Sequence, residues 1–140
     1  MGKILGIDYG TVMTGLSITD EQKIFSFGLI SLYTEKLFIF LDPFLCTENI
    51  EKIVIGCPRK WNNKKEINLE KKIIKFIHIF HTKFPNIDIE RIDERFTSKM
   101  AFYSMIELGF KKKQRKEKKI LHTISATIIL QSYLKKQEIL

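Results

Sequence analysis

Three short apolar runs follow one another in the first 33 residues, joined by connections too short to cross a sheet. Residues 3–8 (KILGID), 15–19 (GLSIT) and 23–33 (KIFSFGLISLY) have the length and composition of strands. Between them lie YGTVMTG and the turn Asp20-Glu21-Gln22. Parallel neighbours need a crossover of about a dozen residues or more, so these three strands are predicted to form an antiparallel meander.

The pattern then changes to strands alternating with helices. Residues 34–49 have helical spacing, with Thr34 as the expected N-cap and Pro43 expected to kink or interrupt the helix. Residues 50–58 (IEKIVIGCP) read as a buried strand ending at Gly56, and 59–66 (RKWNNKKE) as a polar loop. Apolar residues at Ile67, Ile73, Ile74, Ile77 and Phe80 predict a helix over 67–84, stopped by Pro85-Asn86. Residues 87–93 alternate as a strand. A helix over 97–108 is closed by Gly109, a charged run follows at 110–119, and 120–136 is a last amphipathic helix. The order β-β-β-α-β-α-β-α-α predicts an α/β fold: a mixed five-stranded sheet flanked by helices. The 140 residues suffice for one core, so 1–140 is read as one domain, without repeat or linker.

Lys and Arg outnumber Asp and Glu by 24 to 16, a net charge of +8, which suits a polyanionic partner such as nucleic acid. The 44% apolar content excludes a disordered chain. No apolar run approaches the roughly 20 residues of a membrane span. Asp8 interrupts the first apolar run, so no signal peptide is expected. A cytoplasmic location without a membrane partner follows as the expectation. Cys46 and Cys57 stand in no motif spacing and are expected as reduced, half-buried thiols rather than zinc ligands.

In open α/β sheets, ligands and chemistry collect at strand ends. Asp8 ends the first predicted strand, and Asp93 and Glu94 end the last. With the first strand central and the last one near it, these carboxylates come within reach of one another. Clustered carboxylates repel unless a cation neutralises them, and hard divalent cations favour oxygen ligands. Two such ions can stabilise both the attacking and the leaving oxygen of a phosphodiester cleavage. Gly6, Gly10 and Gly15 are expected to let a phosphate approach Asp8 closely.

The segments ILGIDYGT, IVIGCP, IDERFTS and ISATIILQSYL closely resemble, in order, the motifs of the YqgF/RuvX family. These are small bacterial proteins with the RNase H-like fold of the Holliday-junction resolvases. The resemblance extends from Lys3 to about Leu134. It implies a metal-dependent nuclease, using Mg²⁺ or Mn²⁺, that matures the 5′ end of pre-16S ribosomal RNA. The alternatives are a Holliday-junction or other structure-selective DNA nuclease, and a nucleic-acid-binding protein with weakened catalysis. An actin-like kinase, whose first strand has a similar motif, needs two such domains and does not fit this length.

By resemblance, Asp8 is the first-strand metal ligand and Asp93-Glu94 are the acids of the DER motif. The chain departs from the pattern twice. Val12-Met13 replaces a basic pair after YGT, and His122 replaces an Asp four residues before Ala126. Imidazole still binds metals, but it removes a negative charge and suits softer ions than Mg²⁺. His122 is expected to point toward Asp8 from a helix whose core face is Leu121, Ile124, Ile128 and Ile129, with Ser125 and Ala126 allowing close approach. The expected catalytic set is Asp8, Asp93, Glu94 and His122, with Asp8, Glu94 and His122 on the metal.

Nucleic acid is expected to meet Gly10 and Thr11 beside the first strand, and Arg59 and Lys60 in the CPRKWNN loop, whose Trp61 is expected as a buried loop anchor, with stacking on an unpaired base as the alternative. Arg95 and Thr97 follow the DER acids, and Lys112, Lys113 and Arg115 represent a basic run predicted to make salt-sensitive phosphate contacts. The expected partner is ribosomal RNA precursor or branched DNA. A monomer is favoured, because end trimming does not need the symmetric dimer that junction resolution does.

Overall fold

Connection lengths set the strand order. β1 (Lys3–Asp8), β2 (Met13–Thr19) and β3 (Ser26–Tyr33) form the antiparallel meander. β4 (Ile50–Cys57) and β5 (Asp88–Asp93) add in parallel on the far side of β1, giving the order β3-β2-β1-β4-β5. The computed structural model describes residues 2–58, 64–93 and 118–139. Within them lie three α-helices: α1 (Leu37–Thr47), α2 (Lys64–Lys83) and α3 (Lys118–Ile139). The helix expected over 97–108 and the 110–117 part of the charged run lie outside the described residues.

Alternation along the strands separates two cores. Leu5, Ile7, Leu16, Ile53 and Ile55 face α1 and α2, where Leu37, Leu41, Ile73, Phe76 and Phe80 complete the larger cluster. Ile4, Val54 and Ile92 face the opposite side and meet Ile129, Leu130, Tyr133 and Leu134 of α3. Because β1 and β4 are buried on both faces, they read as nearly continuous apolar runs in the sequence. Each of these large side chains contributes about 1.5–3 kcal/mol when fully buried. The central strands therefore carry most of the stabilisation, while Phe25 and Phe27 beside the free edge of β3 stay exposed.

Several boundaries differ from the sequence expectation, each for a local reason. β3 begins at Ser26 rather than at residue 23. Lys23 takes the left-handed conformation (φ 60°), and the Asp20 carboxylate accepts the amides of Ile24 (2.9 Å) and Phe25 (2.8 Å), which curls 23–25 into the turn. Thr34 caps no helix. Its hydroxyl donates to the Gly10 carbonyl at 2.7 Å and lies 2.8 Å from the Thr14 hydroxyl, tying the end of β3 to the turn after β1. α1 continues through Pro43, and the carbonyl that loses its partner belongs to exposed Ile39. Cys46 is exposed rather than half-buried, while Cys57 is intermediate, and the two are not joined in a disulfide.

Two helices differ in ways that affect the site. α2 starts at Lys64, so Lys65 and Glu66, read as loop, are helical. These residue types are good helix formers, and Glu66 lies in the first turn, where a negative charge is favoured. In α3 the fully buried stripe is Ser125, Ala126, Ile129, Leu130, Tyr133 and Leu134, whereas Leu121, Ile124 and Ile128 are only half-buried. The small side chains set this rotation. Ser17 of β2 donates to the Ala126 carbonyl at 2.7 Å, which draws the Ser125-Ala126 side onto the sheet.

Candidate active site at the carboxyl end of the sheet

β1, β4 and β5 run parallel, so their C-terminal ends lie together. The Met13 end of β2 and the Tyr33 end of β3 reach the same edge, where the Thr34 amide donates to the Val12 carbonyl at 2.8 Å. Asp8 is the last residue of the central strand. Its carboxylate Oδ2 lies 3.0 Å from His122 Nδ1, on the first turns of α3. The Asp8 side chain is 16% exposed and that of His122 25%, so the pair is sheltered yet open to solvent. The expected approach of His122 to Asp8 is what the structure shows.

Glycine permits this approach, in a different way from the one expected. A Cβ on Gly15 would run into the His122 carbonyl and the Thr123 amide, and one on Gly6 would meet the Ser17 hydroxyl and the Ala126 carbonyl. Backbone of α3 therefore occupies the space that the sequence suggested for a phosphate. Gly10, by contrast, borders open volume. It lines a hollow of about 600 Å³ with Thr11, Val12, Met13 and His122 on one side and Lys65, Asn68, Leu69 and Lys72 of α2 on the other.

Gly10 and Thr11 thus sit where a ligand can reach them, Thr11 exposed. Val12 and Met13 also line the hollow, and among the described residues its lysines come from α2, in Lys65 and Lys72. These lysines escape sequence reasoning: Lys65 is read there as part of a polar loop, and Lys72, within the predicted helix, is given no role. The helical spacing Lys65-Asn68-Lys72 was the available signal.

Asp93 is placed differently from Asp8. It stands opposite Cys57, so β4 separates it from β1 and the backbones lie about 10 Å apart across two strand spacings. Alternation also assigns Asp93 to the side of Arg91, which meets Glu70 of α2, whereas Asp8 faces α3. Arg91 donates to both Glu70 carboxylate oxygens, at 2.9 and 2.5 Å, and to the Gly56 carbonyl at 3.2 Å. This clamp joins α2, β4 and β5 at the same end of the sheet. Glu94, Arg95, Thr97, Arg59, Lys60, Trp61, Lys112, Lys113 and Arg115 lie outside the described residues.

As a cation site, Asp8 supplies the oxygen donors a hard ion wants, and His122 adds one nitrogen. Among the described residues no group of three or more His, Cys, Asp or Glu side chains gathers around one point. Asp8 and His122 also bond to each other, so a shared cation must replace that hydrogen bond.

Residues 2–136 match the family model described as RuvX, Holliday junction resolvase. The chain belongs to this family. It is 47% identical over 134 residues to a Flavobacterium psychrophilum protein named "Putative pre-16S rRNA nuclease", with 96% of this chain and 97% of that one covered. A Phocaeicola vulgatus protein of the same name is 41% identical, with 99% of both chains covered. Among solved structures, T. thermophilus RuvC in complex with a Holliday junction substrate superposes with a TM-score of 0.62 at 13% identity, over 97% of this chain and 96% of that one. Fowlpox virus resolvase bound to Holliday junction DNA gives 0.53 at 13% identity, over 96% and 98%. The shared fold is the RNase H-like sheet of the resolvases.

Proposed function

We propose that this chain is a divalent-metal-dependent nuclease that trims the 5′ end of precursor 16S ribosomal RNA in the bacterial cytoplasm. The family membership and the name shared by its near full-length relatives support this reading. The observation that carries it is Asp8 at the C-terminal end of the central strand, held by His122 beside an open hollow with lysines on its far wall. Asp8, Glu94 and His122 would hold Mg²⁺ or Mn²⁺, while Asp93 ends β5 on the opposite side of the sheet from Asp8. A cation held there would supply Lewis-acid polarisation of the scissile phosphate and a lowered pKa for a bound water. Asp8 would supply negative charge there, and without a cation His122 holds the Asp8 carboxylate through their 3.0 Å hydrogen bond. Lys65 and Lys72 offset the phosphate charge of the substrate strand. Gly10, Thr11, Arg59, Lys60, Arg95, Thr97, Lys112, Lys113 and Arg115 are assigned to substrate contact.

A second reading, resolution of four-way DNA junctions, draws on the family description and on the substrates bound in the structural neighbours. It needs two sites in a symmetric dimer, whereas trimming needs one. One cleavage assay separates the two. Precursor rRNA and a four-way DNA junction are offered with Mg²⁺ or Mn²⁺, and particle mass is measured in parallel. Cleavage of the rRNA precursor by a monomer supports the first reading. Symmetric junction cutting by a dimer supports the second. Binding to both without cleavage identifies a binding protein whose catalysis is weakened at His122.

A further inference from the structure

α2 carries more than one wall of the hollow. Lys65, Asn68, Lys72, Lys75 and Ile79 fall on one helix face, since their spacings of three, four, three and four residues return to the same side. Lys65 and Lys72 line the hollow beside His122. Lys72 also lines a second hollow of about 350 Å³, together with Lys75. From Lys65 to Lys75 the helix rises about 15 Å. A continuous cationic edge therefore leads from the Asp8–His122 pair to the second hollow.

The second hollow differs in chemistry from the first. Tyr9, Phe38 and Phe76 line it, and these rings pack on one another, with centroids 5.4 Å apart for Tyr9–Phe76 and 5.0 Å for Phe38–Phe76. Thr34 and Glu35 stand at its border with the two lysines. A phosphate inside would face the Glu35 carboxylate. A flat, apolar group with polar edges fits better: its face meets Tyr9, which packs on the buried Phe76 with Phe38 at the side, Glu35 accepts from its amino hydrogens, and its own phosphate stays on the lysine edge. That description is a nucleobase.

We propose that α2 guides the substrate as a single strand. Lys65, Lys72 and Lys75 hold its phosphates, and the hollow lined by Tyr9, Phe38 and Phe76 takes one unpaired base beside the cleavage site. A paired base cannot enter, because its Watson–Crick edge and both faces are already occupied in the duplex. The inference deepens the nuclease reading and rests on it for the position of the cleavage site. It defines the substrate class as single-stranded at this side, whether RNA or DNA.

Binding measured in EDTA tests the proposal without cleavage. The probe is a fluorescent 12-nucleotide single-stranded RNA, compared with its DNA equivalent and with the same RNA in a blunt duplex. Single strands should bind at least tenfold tighter than the duplex. Replacing Lys65, Lys72 and Lys75 together with Gln should lower single-strand affinity at least tenfold and flatten the salt dependence by about two units of log–log slope. The urea midpoint should stay unchanged, since all three side chains are exposed. An abasic nucleotide walked along the RNA should weaken binding about tenfold at one position, and Tyr9→Leu should remove that sensitivity. An unchanged salt slope in the triple variant, equal duplex affinity, or an abasic scan flat on the unaltered protein would each overturn it. If lysine-dependent binding persists but no metal supports cleavage, the nuclease reading fails and the single-strand track stands.

Discussion

Asp8 and His122 stand 114 residues apart in the chain and 3.0 Å apart in the fold, the carboxylate ending β1 and the imidazole opening α3. The pair occupies the position where two acids are expected from the family pattern. A cation shared by both must displace the hydrogen bond between them, and protonated imidazole opposes metal binding. His122→Asp restores a third carboxylate and removes that competition. Mg²⁺-dependent cleavage should rise at least tenfold, about 1.4 kcal/mol of barrier, and the preference for Mn²⁺ should shrink. Asp8→Asn should abolish cleavage. An unchanged rate in His122→Asp beside an inactive Asp8→Asn would place residue 122 outside the metal site.

The meander, the parallel additions and the place of Asp8 were all legible in the sequence, because each rests on short-range rules: strand length, turn residues and connection length. His122 was legible only through the resemblance, whose pattern carries an Asp four residues before Ala126. The hidden parts depend on contacts between distant residues. Nothing local says that Gly6 and Gly15 receive the backbone of a helix more than 100 residues later. The start of α2 was hidden because Lys64, Lys65 and Glu66 are equally at home in a loop, and with it went the lysine face beside the site. The rotation of α3 was hidden because its apolar residues surround much of the helix, so small side chains and the Ser17 bond decide which side docks.

The Glu70–Arg91 pair should hold α2 against the sheet. Glu70 is largely buried, with a side chain 10% exposed, while that of Arg91 is 24% exposed. Removing one partner of a buried pair costs about 3–5 kcal/mol, and the partial exposure of Arg91 lowers the expectation to about 2–3 kcal/mol. Arg91→Met should cost that much in urea denaturation. Glu70→Met combined with Arg91→Met should recover at least half, because no buried charge is left unpaired. A double variant as unstable as the single one would show that apolar packing, not charge, holds this joint.

The turn before β3 gives a pH prediction. Backbone amides, chiefly that of Phe25 and also that of Ile24, hold the Asp20 carboxyl below its ordinary range. A depressed folded pKa contributes stability above the unfolded value of about 4 and loses it as pH falls through the folded value. Asp20→Asn keeps an acceptor without the charge. Its deficit relative to the unaltered protein should therefore be greatest near neutral pH and shrink as pH is lowered toward 2. Urea midpoints across that range measure it, and a constant deficit would mean that the charge contributes nothing to the turn.

Gly15 links stability to the site most directly. Its position on β2 is opposite Asp8, and an added Cβ would collide with the His122 carbonyl and the Thr123 amide. Those are backbone atoms, so no side-chain rotation relieves the clash, and the N-terminal turns of α3 must move away from the sheet. Overpacking of this kind costs about 1–3 kcal/mol. The displacement also draws His122 away from Asp8, so Gly15→Ala should lose at least tenfold in cleavage at temperatures where it is still folded. Gly28→Ala is the matched comparison. There an added Cβ meets side-chain rather than backbone atoms, the Thr123 methyl and the Thr127 hydroxyl, so the cost should be smaller than for Gly15→Ala and cleavage should be retained. Equal effects of the two substitutions, or a fully active Gly15→Ala, would show that the close contact of α3 with β2 does not set the geometry of the Asp8–His122 pair.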